Sequence, residues 1–187
     1  MCTVSKDNFE KSKKEIKNII NSLNAKTCCF TGHRPQSLPW GFNEQDDRCL
    51  KMKEKLRTQI KNAINKGYTT FICGMALGFD IICAEQVLEL KKQYTQIKII
   101  GALPCKTQAK FWSTKDKLRY KSVLAKLDSI RCIYNHFIGN VCYLERNKYM
   151  INNSSLVIAL FNGQDGGTKN TINYAKKQKI DIVIIEP

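Results

Sequence analysis

The amino-acid sequence predicts an α/β protein with a doubly wound, mainly parallel sheet and helices on both of its faces. Short runs that are almost continuously apolar alternate with longer stretches of helical periodicity. Such runs are typical of parallel strands covered on both faces, and right-handed crossovers then place helices on the two sides of the sheet. The chain has 187 residues, 43% of them hydrophobic, which is enough for one buried core and short for two.

The predicted elements follow one another without a linker, an internal repeat or a low-complexity tract. The predicted strands are Lys26–Thr31, Tyr68–Cys73, Ile97–Leu103, Ser129–Ile133, Leu156–Phe161 and Asp181–Ile185. The helical patterns between them lie near residues 47–66, 76–93, 105–128, 142–153 and 168–179. We therefore predict a single Rossmann-like domain over residues 26–187.

The first 25 residues carry a different pattern. Ile16, Ile19, Ile20 and Leu23 fall at helical spacing with lysines between them, which predicts an amphipathic helix packed on the core. No apolar stretch in this segment is long enough for a signal peptide or a membrane span. We therefore expect a cytoplasmic protein that has no membrane partner.

The charge of the chain is strongly basic. Lysine and arginine total 31 against 16 acidic residues, for a formal net charge of +15. Such an excess makes an anionic ligand or a nucleic acid worth considering. Many of the lysines fall on predicted exposed helix faces, however, so a solvated basic surface is the favoured interpretation.

The nine cysteines are odd in number, and no two of them are spaced as CxxC. Several lie inside apolar runs, where a free thiol behaves as a small hydrophobic side chain. We expect free thiols in a reducing compartment, with neither disulfides nor a metal site.

The first candidate binding loop follows the first predicted strand, because ligands of open parallel sheets bind beyond the carboxyl ends of the strands. It reads Thr31-Gly32-His33-Arg34-Pro35. Gly32 lets the backbone approach a ligand closely, and Arg34 offers a bidentate fork for phosphate or carboxylate. His33 could donate to an anion or exchange a proton near neutral pH, although a lone histidine is more often structural.

The second candidate loop, residues 73–80, contains Gly74, Met75, Gly78 and Asp80 and leads into a predicted helix. Gly74 suits a tight turn, Gly78 clears space in the first helical turn, and free amides at a helix amino end attract anions. Close packing of the helix on its strand would also select these glycines. Asp80 either favours the helix dipole or contacts a ribose hydroxyl.

The third candidate loop, residues 162–168, ends in Gly166, Gly167 and Thr168 and leads into a helix from about Lys169. Its glycines let the loop wrap a phosphate with backbone donors, and Thr168 can cap the helix. The pattern GxxxxGK[ST] is absent, so ATP hydrolysis of the Walker type is not indicated.

A fourth feature lies on the predicted helix before the fifth strand, where Glu145, Arg146 and Asn147 are adjacent. Arg146 could reach the crevice at the strand ends, although a surface arginine paired with a carboxylate is nearly as common. On the predicted helix after Pro104, Trp112 is expected to anchor that helix to the sheet, with stacking on a base as the alternative.

These motifs together resemble the SLOG superfamily. They are TGHRP at residues 31–35, GMALGFD at residues 74–80, the RNxxM stretch that begins at Arg146, and GGT at residues 166–168. The likeness runs from about residue 26 to the carboxyl end and is strongest to the YpsA-like branch, a domain of unknown function.

The resemblance implies a Rossmann-like fold whose relatives bind nucleotides, nucleotide sugars or ADP-ribose-like signals. In the DNA-processing branch, that of DprA, they bind single-stranded DNA. The binding role would map to Gly32, Arg34, Gly74, Gly78, Arg146, Gly166, Gly167 and Thr168, and related folds are commonly homo-oligomers.

The LOG-type phosphoribohydrolases of the same superfamily carry a glutamate in the pattern GGxGTxxE, at the position where this chain has Thr171. A hydroxyl cannot act as a carboxylate base or stabilise an oxocarbenium-like centre. This difference argues against hydrolysis of the LOG type, unless another group substitutes. The candidates are Glu145, Asp80, Asp165 and His33.

The sequence therefore predicts a module that binds, senses or sequesters a nucleotide or nucleotide-derived ligand, such as an ADP-ribose-type signal, without a required cofactor. A nucleotide N-glycosidase and a single-stranded-DNA-binding protein of the DprA type are the alternatives. We also expect the protein to form a homo-oligomer, most simply a dimer.

Overall fold

The computed structural model describes residues 26–187 together with Ser12, Lys13 and Glu15. These three residues are helical. The rest of the amphipathic helix predicted within residues 1–25, and its packing on the core, lie outside the described residues. The domain boundary near residue 25 stays a prediction.

The described residues contain one sheet in which every neighbouring pair of strands is parallel. Its strand order is β4-β3-β2-β1-β5-β6. The strands are β1 Thr27–Gly32, β2 Thr70–Cys73, β3 Lys98–Cys105, β4 Ser129–Tyr134, β5 Leu156–Leu160 and β6 Asp181–Ile185. This arrangement confirms the predicted doubly wound α/β fold.

The helices cover both faces of the sheet. They are α1 Asp47–Asn65, α2 Phe79–Lys91, α3 Thr114–Leu124, α4 Val141–Asn152 and α5 Gly167–Lys177. Because successive side chains of a strand point to opposite faces, Cys28 and Phe30 of β1 join a core with α1, α2 and α3. Cys29 joins a second core with α4 and α5.

The segment between β3 and α3 differs from the prediction of a helix over residues 105–128. β3 extends to Cys105 because it pairs with β4 up to that residue, where Cys105 lies opposite Tyr134. The helix begins only at Thr114, where the Ser113 hydroxyl accepts a hydrogen bond from the Asp116 amide at 3.1 Å. Trp112 therefore lies in the turn before α3, where its ring meets that of Tyr120 edge-on at 5.1 Å and packs against the core.

All eight described cysteines are free, and seven of them are buried. Burial raises the pKa of the Cys29 thiol to about 12. The two cores contain five of them as small apolar groups, namely Cys28, Cys29, Cys49, Cys73 and Cys83. No group of three or more His, Cys, Asp or Glu side chains in the described part of the chain is arranged to hold a metal ion. Nor does any helix of that part have the length and apolarity to cross a membrane.

The contact between β1 and α2 is close at Gly32. A Cβ atom added at Gly32 would lie 2.6 Å from Cγ and 2.8 Å from Cβ of Phe79. Phe79 is fully buried, so its ring has little room to move. Gly32 thus sets the distance between the end of β1 and the start of α2.

We expect Gly32→Ala to lower the free energy of unfolding by about 1–3 kcal/mol, because the added methyl group overpacks a filled core. Gly167→Ala is the matched control, since a Cβ there meets nothing within 4 Å. That variant should be neutral or more stable by up to about 1 kcal/mol, because alanine is less flexible than glycine in the unfolded chain. Urea unfolding of both variants checks this, and equal midpoints would contradict it.

Candidate functional site

The cavity that gathers most of the predicted binding residues lies at the carboxyl ends of β1 and β5. The chain winds outward in opposite directions from these two neighbouring strands, and such a reversal leaves a crevice at the edge of a parallel sheet. This switch-point cavity measures about 380 Å³. It is lined by Phe30, Thr31, Gly32, His33, Arg34, Gln36, Ser37, Ala76, Asp80, Tyr143, Arg146, Asn147, Asp165, Gly166, Gly167 and Thr168.

A larger cavity of about 760 Å³ lies beside β6, and its lining differs in charge. Glu186 is the one charged side chain among the described residues that line it. The switch-point cavity has two arginines and two aspartates in its wall, and each aspartate is paired with a cation, Asp80 with Arg146 and Asp165 with Lys169. Arg34 is left as its unpaired charge, which favours an anionic ligand there.

The amino end of α5 opens into the switch-point cavity. Gly166 is its N-cap residue, with φ of 148°, and no side chain caps the helix. The first helical amides have no acceptor within a helix and carry its partial positive charge. A Cβ on Gly166 or Gly167 would meet no atom within 4 Å, so the backbone faces open space. The helix begins at Gly167, and the prediction that Thr168 caps it was wrong because Thr168 already lies in the first turn.

A buried ion pair lies behind these loops. The Arg146 guanidinium donates through Nη1 to the Gly74 carbonyl oxygen, and the same nitrogen lies 3.5 Å from Oδ2 of Asp80. Oδ2 also accepts from the Ala76 amide at 3.2 Å. Burial raises the pKa of Asp80, and the positive charge of Arg146 partly offsets the shift.

One nitrogen of the Arg146 guanidinium is buried without a hydrogen-bond partner. Both Arg146 and Asp80 are buried side chains of the cavity wall, and the unpartnered nitrogen is Nε. A Cβ on Gly74 would lie 2.6 Å from Oδ2 of Asp80 and on the Arg146 guanidinium. Gly74 does not line the cavity. Its lack of a side chain leaves the space that the Arg146 guanidinium occupies.

Arg34 lies at the exposed mouth of the cavity. Its guanidinium carbon is 5.2 Å from the centre of the Tyr143 ring, a cation–π distance. Arg34 is paired with no carboxylate among the described residues, so its donors are available to an anion. Sequence reasoning missed Tyr143, although it precedes Arg146 by three residues and such positions share a helix face.

His33 connects the ends of β1 and β5. Its Nε2 accepts a hydrogen bond from the Asn162 amide at 3.3 Å, and its ring stacks on Phe161 with centroids 5.9 Å apart. Burial lowers its pKa, and only the neutral ring can accept this bond. The geometry gives His33 a structural contact between the two strands that form the crevice.

The other carboxylates named from the sequence lie away from the cavity interior. Glu145 forms an ion pair with Lys148 at 2.8 Å and does not line the cavity. Asp165 lines the rim, where its largely exposed carboxylate contacts Lys169 at 2.6 Å.

Thr171, at the position of the LOG-type glutamate, directs its hydroxyl into the contact between α4 and α5. This hydroxyl donates to the Gly167 carbonyl at 2.8 Å and accepts from Nδ2 of Asn147 at the same distance. It is buried and does not line the cavity. Thr171 thus holds Asn147 beside the glycine loop.

The structure separates the predicted binding residues into two groups. Those that line the cavity are Gly32, His33, Arg34, Asp80, Arg146, Asn147, Gly166, Gly167 and Thr168. Gly74, Met75 and Gly78 do not line it. The Met75 side chain is fully buried in the core, and Gly78, with φ of 95°, caps α2 and packs against Pro35.

Comparison with known proteins identifies a matching protein family and several similar proteins. Residues 28–186 match the sequence model of the YspA SLOG family. The uncharacterized SPbeta prophage-derived protein YoqJ of Bacillus subtilis is 37% identical over 140 residues, covering 68% of this chain and 82% of YoqJ. The UPF0398 protein YpsA of the same organism is 24% identical over 157 residues, covering 82% of this chain and 86% of YpsA.

Two solved structures share the fold. DNA processing protein A from Helicobacter pylori, described for its single-stranded DNA binding mode, superposes with a TM-score of 0.60 at 18% identity, covering 89% of this chain and 67% of that one. DprA from Streptococcus pneumoniae gives a TM-score of 0.56 at 14% identity, covering 87% of this chain and 50% of that one.

We expect Arg146→Met to lower the free energy of unfolding at pH 7 by about 3–5 kcal/mol, because it leaves the Asp80 carboxylate buried without its partner. In that variant the pKa of Asp80 in the folded state lies further above its unfolded value. The penalty is therefore absent below the unfolded pKa, where the carboxyl is protonated in both states, grows as the pH rises toward the folded pKa, and is complete above it. In urea unfolding, the difference in the free energy of unfolding between the variant and the unmodified protein should decrease as the pH is lowered from 7 to ~4.5.

The double variant Asp80→Asn/Arg146→Met is the control, since the introduced asparagine would keep an acceptor for the Ala76 amide without a charge. It should be more stable at pH 7 than Arg146→Met alone. A double variant as unstable as the single one, with no dependence on pH in either, would refute the buried-pair account.

Proposed function

This chain belongs to the YspA SLOG family, and we propose that it binds a nucleotide or nucleotide-derived ligand, such as an ADP-ribose-type signal, in the switch-point cavity. The observation that carries the proposal is the uncapped amino end of α5 opening onto a cavity that has Arg146 in its wall and Arg34 at its mouth. Helix amides and arginines are the groups by which proteins hold phosphates.

The phosphate is proposed to lie against Gly166, Gly167 and Thr168, where the open space above the glycines admits it to within hydrogen-bonding distance of the amides. Arg34 approaches from the exposed side, and Arg146 supplies positive charge from the buried side. A charged hydrogen bond contributes about 1.5–3 kcal/mol, so two or three such contacts supply about 3–9 kcal/mol. Only the upper end of that range reaches the roughly 8 kcal/mol of micromolar binding.

Binding, for sensing or sequestration, is favoured over turnover by the placement of the carboxylates. Asp80 is committed to Arg146 and the Ala76 amide, and Asp165 contacts Lys169 on the rim. The Thr171 hydroxyl is committed to Gly167 and Asn147. These side chains are thereby occupied in the structure, whereas cleavage of an N-glycosidic bond calls for a carboxylate beside the ribose.

Single-stranded DNA binding is the second candidate function, because the H. pylori structural neighbour is described for that property and this chain carries a net charge of +15. It predicts affinity for an oligonucleotide that falls steeply with salt. A nucleotide site predicts preference for mononucleotides and a weaker dependence on salt.

Self-association is also part of the proposal. The loop before α4 and the outer face of that helix expose Phe137, Ile138, Val141 and Leu144, apolar side chains of the kind that oligomer interfaces cover. Light scattering on the purified protein measures the mass directly, and a monomer at all concentrations would exclude this part.

We expect a panel of AMP, NAD and ADP-ribose to include a ligand that raises the melting temperature by about 5–10 °C at 100 times its Kd. The ligand should be recovered intact by chromatography. Gly167→Val should abolish the shift, because its side chain would occupy the space in front of the α5 amides. Asn173→Ala, on the exposed outer face of α5, is the control and should bind normally.

Detection of free base released from the nucleotide would show that the protein is an N-glycosidase and would contradict a role in binding alone. The absence of any shift, together with salt-sensitive oligonucleotide binding, would favour the single-stranded DNA alternative.

We also expect Arg34→Ala to weaken binding of the ligand about 10- to 150-fold, as loss of a charged hydrogen bond implies. Because Arg34 is exposed and has no carboxylate partner among the described residues, loss of its cation–π contact with Tyr143 should lower the melting temperature of the free variant by no more than about 4 °C. Isothermal titration measures the affinity. A variant that binds as tightly as the unmodified protein would remove Arg34 from the site.

A further inference from the structure

A second cavity of about 510 Å³ adjoins the switch-point cavity and is unlike it in character. We name it the aromatic cavity, and its lining residues include Phe42, Phe111 and Trp112. The two cavities share Arg34, Gln36, Ala76 and Tyr143 as lining residues. A ligand that occupies one of them can therefore extend past Arg34 and Tyr143 into the other.

Two rings of the aromatic cavity are exposed to solvent, where they add nothing to the apolar core. Phe111 is 90% exposed and Phe42 is 61% exposed, so a polar residue at either position would leave the described core intact. The Lys110 ammonium lies 5.3 Å from the Phe111 ring centre, so one ring face has a cation over it and the ring remains open to solvent. Exposed aromatic rings beside a polar cavity are typical of ligand-binding surfaces.

The other wall of the aromatic cavity is held firmly. The Trp112 ring packs against the core and meets Tyr120 edge-on at 5.1 Å. The turn that carries Phe111 and Trp112 is tied to the loop after β2, because Nε2 of Gln108 donates to the Met75 carbonyl oxygen at 2.5 Å. A fixed indole and an open phenyl ring in the lining of one cavity provide surfaces on which a planar heterocycle can stack.

From these observations we propose that the aromatic cavity binds the base of the ligand whose phosphate lies against α5. The site then takes a nucleotide as a two-part ligand, with its anionic part in the switch-point cavity and its aromatic part beside Phe111. The ribose passes Arg34 and Tyr143, the pair that separates the two cavities. This inference rests on the proposed function, and it adds the base as a second determinant of affinity.

The test compares nucleotides with ribose 5-phosphate, which carries the anionic part without a base. Affinities of AMP, GMP, CMP, UMP and ribose 5-phosphate are measured by isothermal titration on the unmodified protein and on Phe111→Ala. The tightest nucleotide should bind the unmodified protein more strongly than ribose 5-phosphate. Phe111→Ala should weaken that nucleotide about 5- to 150-fold, the range for loss of base stacking, and leave ribose 5-phosphate unaffected.

Leu118→Ala is the control, because Leu118 is an exposed apolar residue of α3 that lines neither cavity. It should leave every affinity unchanged. Equal affinity of the unmodified protein for ribose 5-phosphate and for all four nucleotides would overturn the base site while phosphate binding stands. So would a Phe111→Ala variant whose affinities for the nucleotide and for ribose 5-phosphate fall by the same factor. Failure of all these compounds, and of NAD and ADP-ribose as well, to bind the unmodified protein would overturn the proposed function itself, and this inference with it.

Discussion

The parallel pairing of β1 with β5 is the constraint on which the site depends. Cys28 to Gly32 of β1 lie beside Leu156 to Leu160 of β5 in continuous register, although more than a hundred residues separate them in the chain. The connections after these two strands lead to opposite sides of the sheet, so the loops that follow them part and leave a crevice. The contact of His33 with the Asn162 amide and Phe161 joins the two strand ends at the point where the loops diverge.

The Arg146–Asp80 pair shows how a charge is kept beside that crevice. A buried ion pair is weak evidence for stability, since well-packed apolar residues often replace one with no loss or with a gain of about 1–4 kcal/mol. Its consequence here is electrostatic: a guanidinium is held in the wall with one nitrogen unpartnered, and its partner carboxylate is committed. Two glycines leave the space that this site requires. Gly74 admits the guanidinium, and Gly167 leaves open space before the α5 amides.

The proposed binding role rests on the charged groups of the crevice. Its positive groups converge from a helix end, a buried arginine and an exposed arginine, and its two described carboxylates are each paired with a cation. The neighbouring aromatic cavity differs because its rings are open to solvent. A polar cavity with two arginines, joined to an aromatic one, matches the amphipathic character of a nucleotide, whose phosphate and base require opposite surroundings.

The sequence by itself determined the order of strands and helices and the loops in which the binding residues lie. Apolar runs and helical periodicity indicate which side chains of each strand or helix are buried, and burial of those side chains drives the folding of this sheet. It also indicated that the glutamate of the LOG pattern is replaced by Thr171. It could not place α3, because the end of β3 is decided by pairing with β4 and the helix start by Ser113.

Only the tertiary structure decided which side chains meet. Asp80 and Arg146 are 66 positions apart, and their pairing follows from the packing of α4 against the loop after β2. The Met75 side chain is buried in the core, Glu145 forms an ion pair with Lys148, and Tyr143 lies in the site beside Arg34. Local patterns carry no information on these directions, because each is set by the strand order and by the space that neighbouring elements leave.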